Sequence, residues 1–234
     1  MKNNLIRLAI ASILVTGIAE AGDWFRPSSK APVAPQVHRD CLSYDFIDLQ
    51  YVGVDFGSPY FSDEGGFGVG FSKSIGSKFF INGDYTDGSY DYDWVNHVVP
   101  VETRRYRLGA GVRVPLAECV HVTLEGGAEH LDAEYGGSYS DHDYDSWAWY
   151  VGPGFRARSG RFEVYAKALY LSREGDFRQE YLSHHTTHYG RVDSYGWLFT
   201  PGVIFHLNDR LGIKLGAEID SHDTVWLVGA RLHF

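Results

Sequence analysis

Residues 224–234 read TVWLVGARLHF, and the alternation is complete. Trp226, Val228, Ala230, Leu232 and Phe234 share one parity, while Gly229, Arg231 and His233 share the other. Successive side chains of a strand point to opposite faces, so this tail is a strand with one apolar face and one face of glycine and positive charge. Reading backwards, Leu211, Ile213, Leu215, Ala217 and Ile219 alternate with Gly212, Lys214, Gly216 and Glu218 in the same way. Period two recurs near 197–207, 162–170, 147–156, 120–129, 105–113, 79–85, 65–74 and 47–53, which makes ten segments in all.

A soluble sandwich also alternates, but it turns its polar parity to water. Here the second parity holds glycines and charges of both signs, as the crowded interior of a narrow closed barrel requires. The connections separate the two cases. Short turns at 75–77, 115–118, 159–160 and 208–210 alternate with long connections at 87–100, 132–145 and 172–194. Short turns at one rim and long loops at the other predict an all-β, antiparallel, up-and-down transmembrane barrel of ten strands, with eight as the alternative count. Pro153 and Pro201 fall inside strands, and a closed barrel has no free edge for them, so bulges or bends are expected there.

Composition agrees with this reading. Glycine (27), tyrosine (16) and a 15% aromatic content in 234 residues exclude a disordered chain and a coiled coil. A net charge of -9 excludes a general nucleic-acid binder, which needs a basic face against phosphates. Lys2 and Arg7 flank a short apolar run at 8–18, followed by Ala19-Glu20-Ala21. This pattern predicts a signal peptide at 1–21, because the run is too short to cross a bilayer as a helix. Pro27, Pro32 and Pro35 mark 22–42 as an extended tether, and the barrel occupies 43–234.

The signal peptide, the even strand count and the in-phase aromatic end resemble Gram-negative outer-membrane β-barrels, of the small OmpA/OmpX-like or the ten-stranded omptin-like class. The resemblance covers 43–234. It implies residence in the bacterial outer membrane, a periplasmic tether and contact with membrane lipid and lipopolysaccharide. It also implies a monomer whose tail Trp226, Val228, Ala230, Leu232 and Phe234 is read by the barrel-assembly machinery.

Inward parity collects Asp48, Asp84, Glu125, Glu129, Glu163 and Glu218 with Arg105, Arg107, Arg113, Arg156, Lys167, Lys214 and Arg231. Near balance of sign favours a mutually neutralising plug over a charged pore lining, because unpaired charge in a poorly hydrated lumen is costly. A narrow passive channel is the alternative. The long connections are acidic and rich in tyrosine, and they are the expected contact region for a surface ligand whose identity the sequence leaves open. No cofactor is expected. His184, His185 and His188 have a spacing that ligates a metal only if their loop gathers them, so no metal is assigned.

Asp91-Tyr92-Asp93-Trp94 is similar to the Asp-x-Asp-Trp element of omptin proteases, and His188-Tyr189 is similar to the His-Tyr of their opposing dyad. This resemblance implies Asp91, Asp93 and His188 as catalytic candidates. Thr186 stands where the dyad aspartate belongs, so nothing fixes the imidazole's tautomer and no catalysis is expected. Cys41 and Cys119 both belong to the short-turn rim; in an oxidising compartment they could bond, or stay free if the rim holds them apart.

Overall fold

The computed structural model describes residues 41–55, 65–94, 97–136, 140–181, 186–221 and 223–234. The expected signal peptide 1–21 and the tether up to residue 40 lie outside these residues. Ten strands follow one another: β1 (Phe46–Asp55), β2 (Gly65–Ile75), β3 (Phe79–Trp94), β4 (His97–Ala117), β5 (Val120–Gly136), β6 (Ser140–Ser159), β7 (Phe162–Tyr181), β8 (Thr186–His206), β9 (Leu211–Ile219) and β10 (Thr224–His233). Each pairs antiparallel with its sequence neighbours, and β1 pairs with β10 from Phe46↔His233 to Asp55↔Thr224. The sheet is therefore a closed ten-stranded barrel, which removes the eight-stranded alternative.

Register fixes the barrel's proportions. Stepping across partners from His121 passes through Arg156, Tyr165, Gly202, Gly216, Leu227, Val52, Gly66, Gly88 and Thr103 and returns to β5 at Ala133, twelve residues further along (133 - 121). Such a stagger requires tilted strands; ten strands about 4.8 Å apart and tilted about 40° give a backbone radius of about 10 Å, which long side chains from opposite walls can fill.

The two parities separate cleanly. Leu49, Leu108, Leu124, Trp149 and Val228 are exposed on the outside, whereas Asp48, Glu125, Glu129, Glu163 and Arg231 are buried inside. Toward the long-strand rim, the outward rings of Phe67, Tyr85, Tyr106, His130 and Trp147 form a row, with neighbouring centroids 4.6–6.1 Å apart. Aromatic girdles of this kind border the apolar band of transmembrane barrels. At the opposite rim Gly76 (φ 67°) and Gly160 (φ 58°) occupy tight turns whose left-handed backbone disfavours any other residue.

Two expectations need correction. The connections expected as long loops at 87–100, 132–145 and 172–194 are strand for most of their length, since β3–β4, β5–β6 and β7–β8 remain paired up to Trp94↔His97, Gly136↔Asp141 and Tyr181↔Thr186. The reason is local: Ser89-Tyr90-Asp91-Tyr92-Asp93-Trp94 itself alternates, and tyrosine fits a pleated surface whether or not aspartate separates it from the next. Six strands thus rise above the other four, with β4 21 residues long and β9 only 9.

The second correction concerns Pro153 and Pro201, where bulges or local bends were expected and no bulge is found. Across Pro153 the β6–β7 partners pass from Val151↔Tyr170 to Gly154↔Lys167, and across Pro201 the β8–β9 partners pass from Phe199↔Ile219 to Gly202↔Gly216, with register kept in both. Each proline lacks the N–H that would face that neighbour, so the ladder skips and does not shift. The register shift that does occur lies between Pro115 and Ala117.

Candidate functional site

The inward parity builds three levels in the lumen. At the short-turn end, Cys41 is disulfide-bonded to Cys119 in the β4–β5 turn. From there Leu42 and Tyr44 run inward, 1% and 3% exposed, before the chain enters β1. The last two residues of the expected tether are therefore packed onto the barrel. The Tyr44 ring lies 4.9 Å from Phe80 and 5.9 Å from the His121 ring, with the guanidinium carbons of Arg113 and Arg156 at 4.7 and 4.3 Å. Cations over an aromatic face are held by the ring quadrupole, so these contacts anchor the segment across the floor of the barrel.

Above the floor, Glu163 accepts from Arg156 Nε at 2.9 Å and meets His206 Nε2 at 3.1 Å. Asp48 accepts from Arg231 Nε at 2.7 Å and Lys214 Nζ at 2.8 Å, and Lys214 also donates to Gln50. Glu125 accepts from Lys167 at 3.0 Å and from Asn82 at 2.8 Å. A cavity of about 130 Å³ remains among these groups, bordered by Tyr150 and Tyr165.

The third level spans the barrel. Glu218 on β9 accepts from Arg105 Nη1 at 2.7 Å and from Arg107 Nη1 at 3.0 Å, both on β4. β4 and β9 are five strands apart in either direction, so these bonds cross a full diameter. Arg107 also donates to Glu129, which accepts from Arg173 as well, and Asp84 lies 3.8 Å from both Arg105 and Arg107. Arg107 and Glu218 line both the lower cavity and a second one, of about 470 Å³, at the long-strand mouth. The network is thus the partition between them.

Several inward glycines are sockets for a neighbouring side chain. A Cβ at Gly109 or Gly127 would collide with the Tyr150 hydroxyl, and one at Gly202 or Gly216 with the end of Tyr165.

Of the positions singled out from sequence, the thirteen lumen charges all take the inward parity, and Arg113 donates to the Ser77 carbonyl. Of the omptin-like candidates, His188 has the inward register of Leu198 and Thr200, while Asp91 and Asp93 pair with Pro100 and Val98 on β4 and their side chains lie outside the described ones. His184 and His185 lie outside the described residues. Among the described residues no group of three or more His, Cys, Asp or Glu could hold a metal ion.

Sequence reasoning missed several participants. Arg173 fell in a stretch expected to be loop, and only the continuation of β7 brings it to Glu129. His121, His206 and His233 share the parity of the lumen charges and are each at most 7% exposed. That parity was the available signal. Tyr44 precedes the first strand and left no periodic trace.

No protein-family model matches the sequence, and comparison with curated proteins finds no match. Similar solved structures exist. The outer membrane protease OmpT from Escherichia coli is similar at TM-score 0.55 with 8% identity, over 81% of this chain and 94% of that one. The translocator domain of autotransporter NalP from Neisseria meningitidis is similar at 0.50 with 8% identity, over 97% of each chain. At such identity the likeness concerns the fold: this chain has the closed antiparallel fold of outer-membrane β-barrels.

Proposed function

We propose that the chain is a monomeric protein of the bacterial outer membrane whose lumen is shut to solutes and whose tall rim, facing outward from the cell, is the part that contacts partners. The observation carrying this reading is the pair of bonds from Arg105 and Arg107 to Glu218 across the diameter, with the Tyr44 floor beneath. Parting such a network leaves charge uncompensated in a narrow space, and removal of one partner of a buried pair costs about 3–5 kcal/mol. The exposed apolar band and its girdle suit lipid, with lipopolysaccharide around the upper part. The strand β10, with Phe234 directly after it, presents Trp226, Val228, Ala230, Leu232 and Phe234 to the assembly machinery.

Purified protein in planar bilayers tests the closed lumen. The expected result is no steady conductance. Persistent single-channel currents whose ion preference reverses in Arg105→Glu would make the protein a channel.

A further inference from the structure

The upper part of β8 is paired on one side only. Its partners on β7 run without a register shift from Phe162↔Phe205 to Tyr181↔Thr186, but its partners on β9 begin at Phe199↔Ile219. Above Phe199, β8 has no neighbour on that side among the described residues, because β9 ends at Ile219 and the chain turns back at once through Asp220 and Asp223. Backbone direction follows from two bonds. The amide of His206 donates to Arg161 on the β7 side, and that of Leu207 to Leu211 on the β9 side. Alternation then turns the backbone N–H and C=O of Tyr189, Arg191, Asp193, Tyr195 and Trp197 toward the open edge.

Natural sheets blunt such an edge with proline, charged side chains (lysine above all), a bulge or a covering segment, and the charges here, Arg191 and Asp193, are paired with each other. Residues 187–198 contain no proline and no lysine, and their pairing with β7 shows no bulge. The side chains flanking the edge are large and open to solvent: Tyr189 is 76% exposed and Tyr195 81%. Charge completes the description. Glu174, Asp176 and Asp193 stand beside the edge against Arg191 and Arg178, and along the rest of the tall wall Asp87, Glu102, Asp132, Glu134, Asp143 and Asp145 outnumber Arg104. Arg191 is already engaged with Glu174 at 2.5 Å and with Asp193 at 3.1 Å.

We propose that this edge binds an extended, cationic segment of another polypeptide, which adds to the sheet as a strand beside β8. Main-chain hydrogen bonds to the odd-numbered residues supply the affinity, Tyr189 and Tyr195 cover its alternate side chains, and the surplus carboxylates select for positive charge. The proposal rests on the reading of the tall rim as the contacting part, and it is independent of whether the lumen conducts.

The test uses full-length protein in phosphatidylcholine nanodiscs and a fluorescent ten-residue peptide alternating lysine with valine. Two further peptides carry N-methyl groups on all lysines or on all valines, so each loses the N–H donors of one edge only while the charge stays constant. One of the two is expected to bind as the parent does and the other about tenfold or more weaker, the signature of one-sided strand pairing. On the protein, Asp193→Pro removes an edge-facing N–H that Asp193→Ala keeps, and it is expected to weaken binding about tenfold relative to that alanine variant. Circular dichroism of both variants, unchanged from the parent, excludes loss of fold as the cause. Equal binding of all three peptides, equal affinity of the two variants, or no binding of the parent peptide at about 1 mM would overturn the proposal.

Discussion

Tyr165 and Gly216 show how a single residue sets lumen packing. The phenol projects across the wall onto β9, where a Cβ at Gly216 would meet its hydroxyl at 2.5 Å. Gly216→Ala is therefore expected to lower stability by about 1–3 kcal/mol, as overpacking does. Tyr165→Phe in the same chain should restore most of that loss, because it removes the nearest atom and leaves only the Pro201 carbonyl oxygen, at 3.2 Å, as a tight contact. Urea unfolding of the two single variants and the double variant in detergent measures the coupling; additive effects would show that the socket is not what the glycine provides. Glu163 gives the electrostatic counterpart, since it alone joins Arg156, His206 and Arg231. Glu163→Gln leaves the guanidinium groups of Arg156 and Arg231 facing one another and is expected to cost about 3–5 kcal/mol in the same measurement, far more than the surface change Glu102→Gln.

At the level of elements, β10 closes the barrel and presents its apolar parity outward, with Val228 49% and Leu232 50% exposed. Val228→Asp places a charge against lipid at a cost of about 2–4 kcal/mol at mid-membrane, so outer-membrane yield should fall sharply. A normal yield, read by fractionation and heat-dependent gel mobility, would contradict the lipid-facing assignment. The segment 41–45 is an element of another kind, tied at one end by the disulfide and at the other by β1. Cys41 and Cys119 are 78 residues apart in sequence. Closing a loop of that length stabilises by roughly 4 kcal/mol in the chain-entropy account. Non-reducing electrophoresis should show a mobility change on reduction that Cys41→Ser abolishes, and the variant should unfold at lower urea.

For the whole molecule, the described lumen holds Arg105, Arg107, Arg113, Arg156, Lys167, Arg173, Lys214 and Arg231 against Asp48, Asp84, Glu125, Glu129, Glu163 and Glu218. The cations exceed the carboxylates by two (8 - 6) in this set. Opening the partition with Arg105→Ala and Arg107→Ala together, and the floor with Tyr44→Ala, is expected to produce currents only when both levels are broken. Either set alone should stay silent if, as proposed, each level closes the barrel at a different height. Currents from the floor variant alone would show that the diameter-spanning bonds do not obstruct the path.

Much of this was legible in the chain itself. Period-two alternation through ten segments, with glycine and charge on one parity, determines an antiparallel barrel, because only a closed sheet satisfies every backbone group while turning one face to lipid. The same parity placed Asp48, Glu125, Glu163 and their cations inside before any partner was known. Which carboxylate meets which cation was decided by the tertiary structure alone: the twelve-residue stagger sets the height at which Glu218 faces Arg105 and Arg107, and no local pattern encodes a stagger summed over ten registers. The same holds for the tall and short walls. Aspartates interleaved with tyrosine hide a strand from a hydrophobic reading, and among the described residues β8 has an open edge because β9 stops at Ile219 while β8 continues upward beside β7.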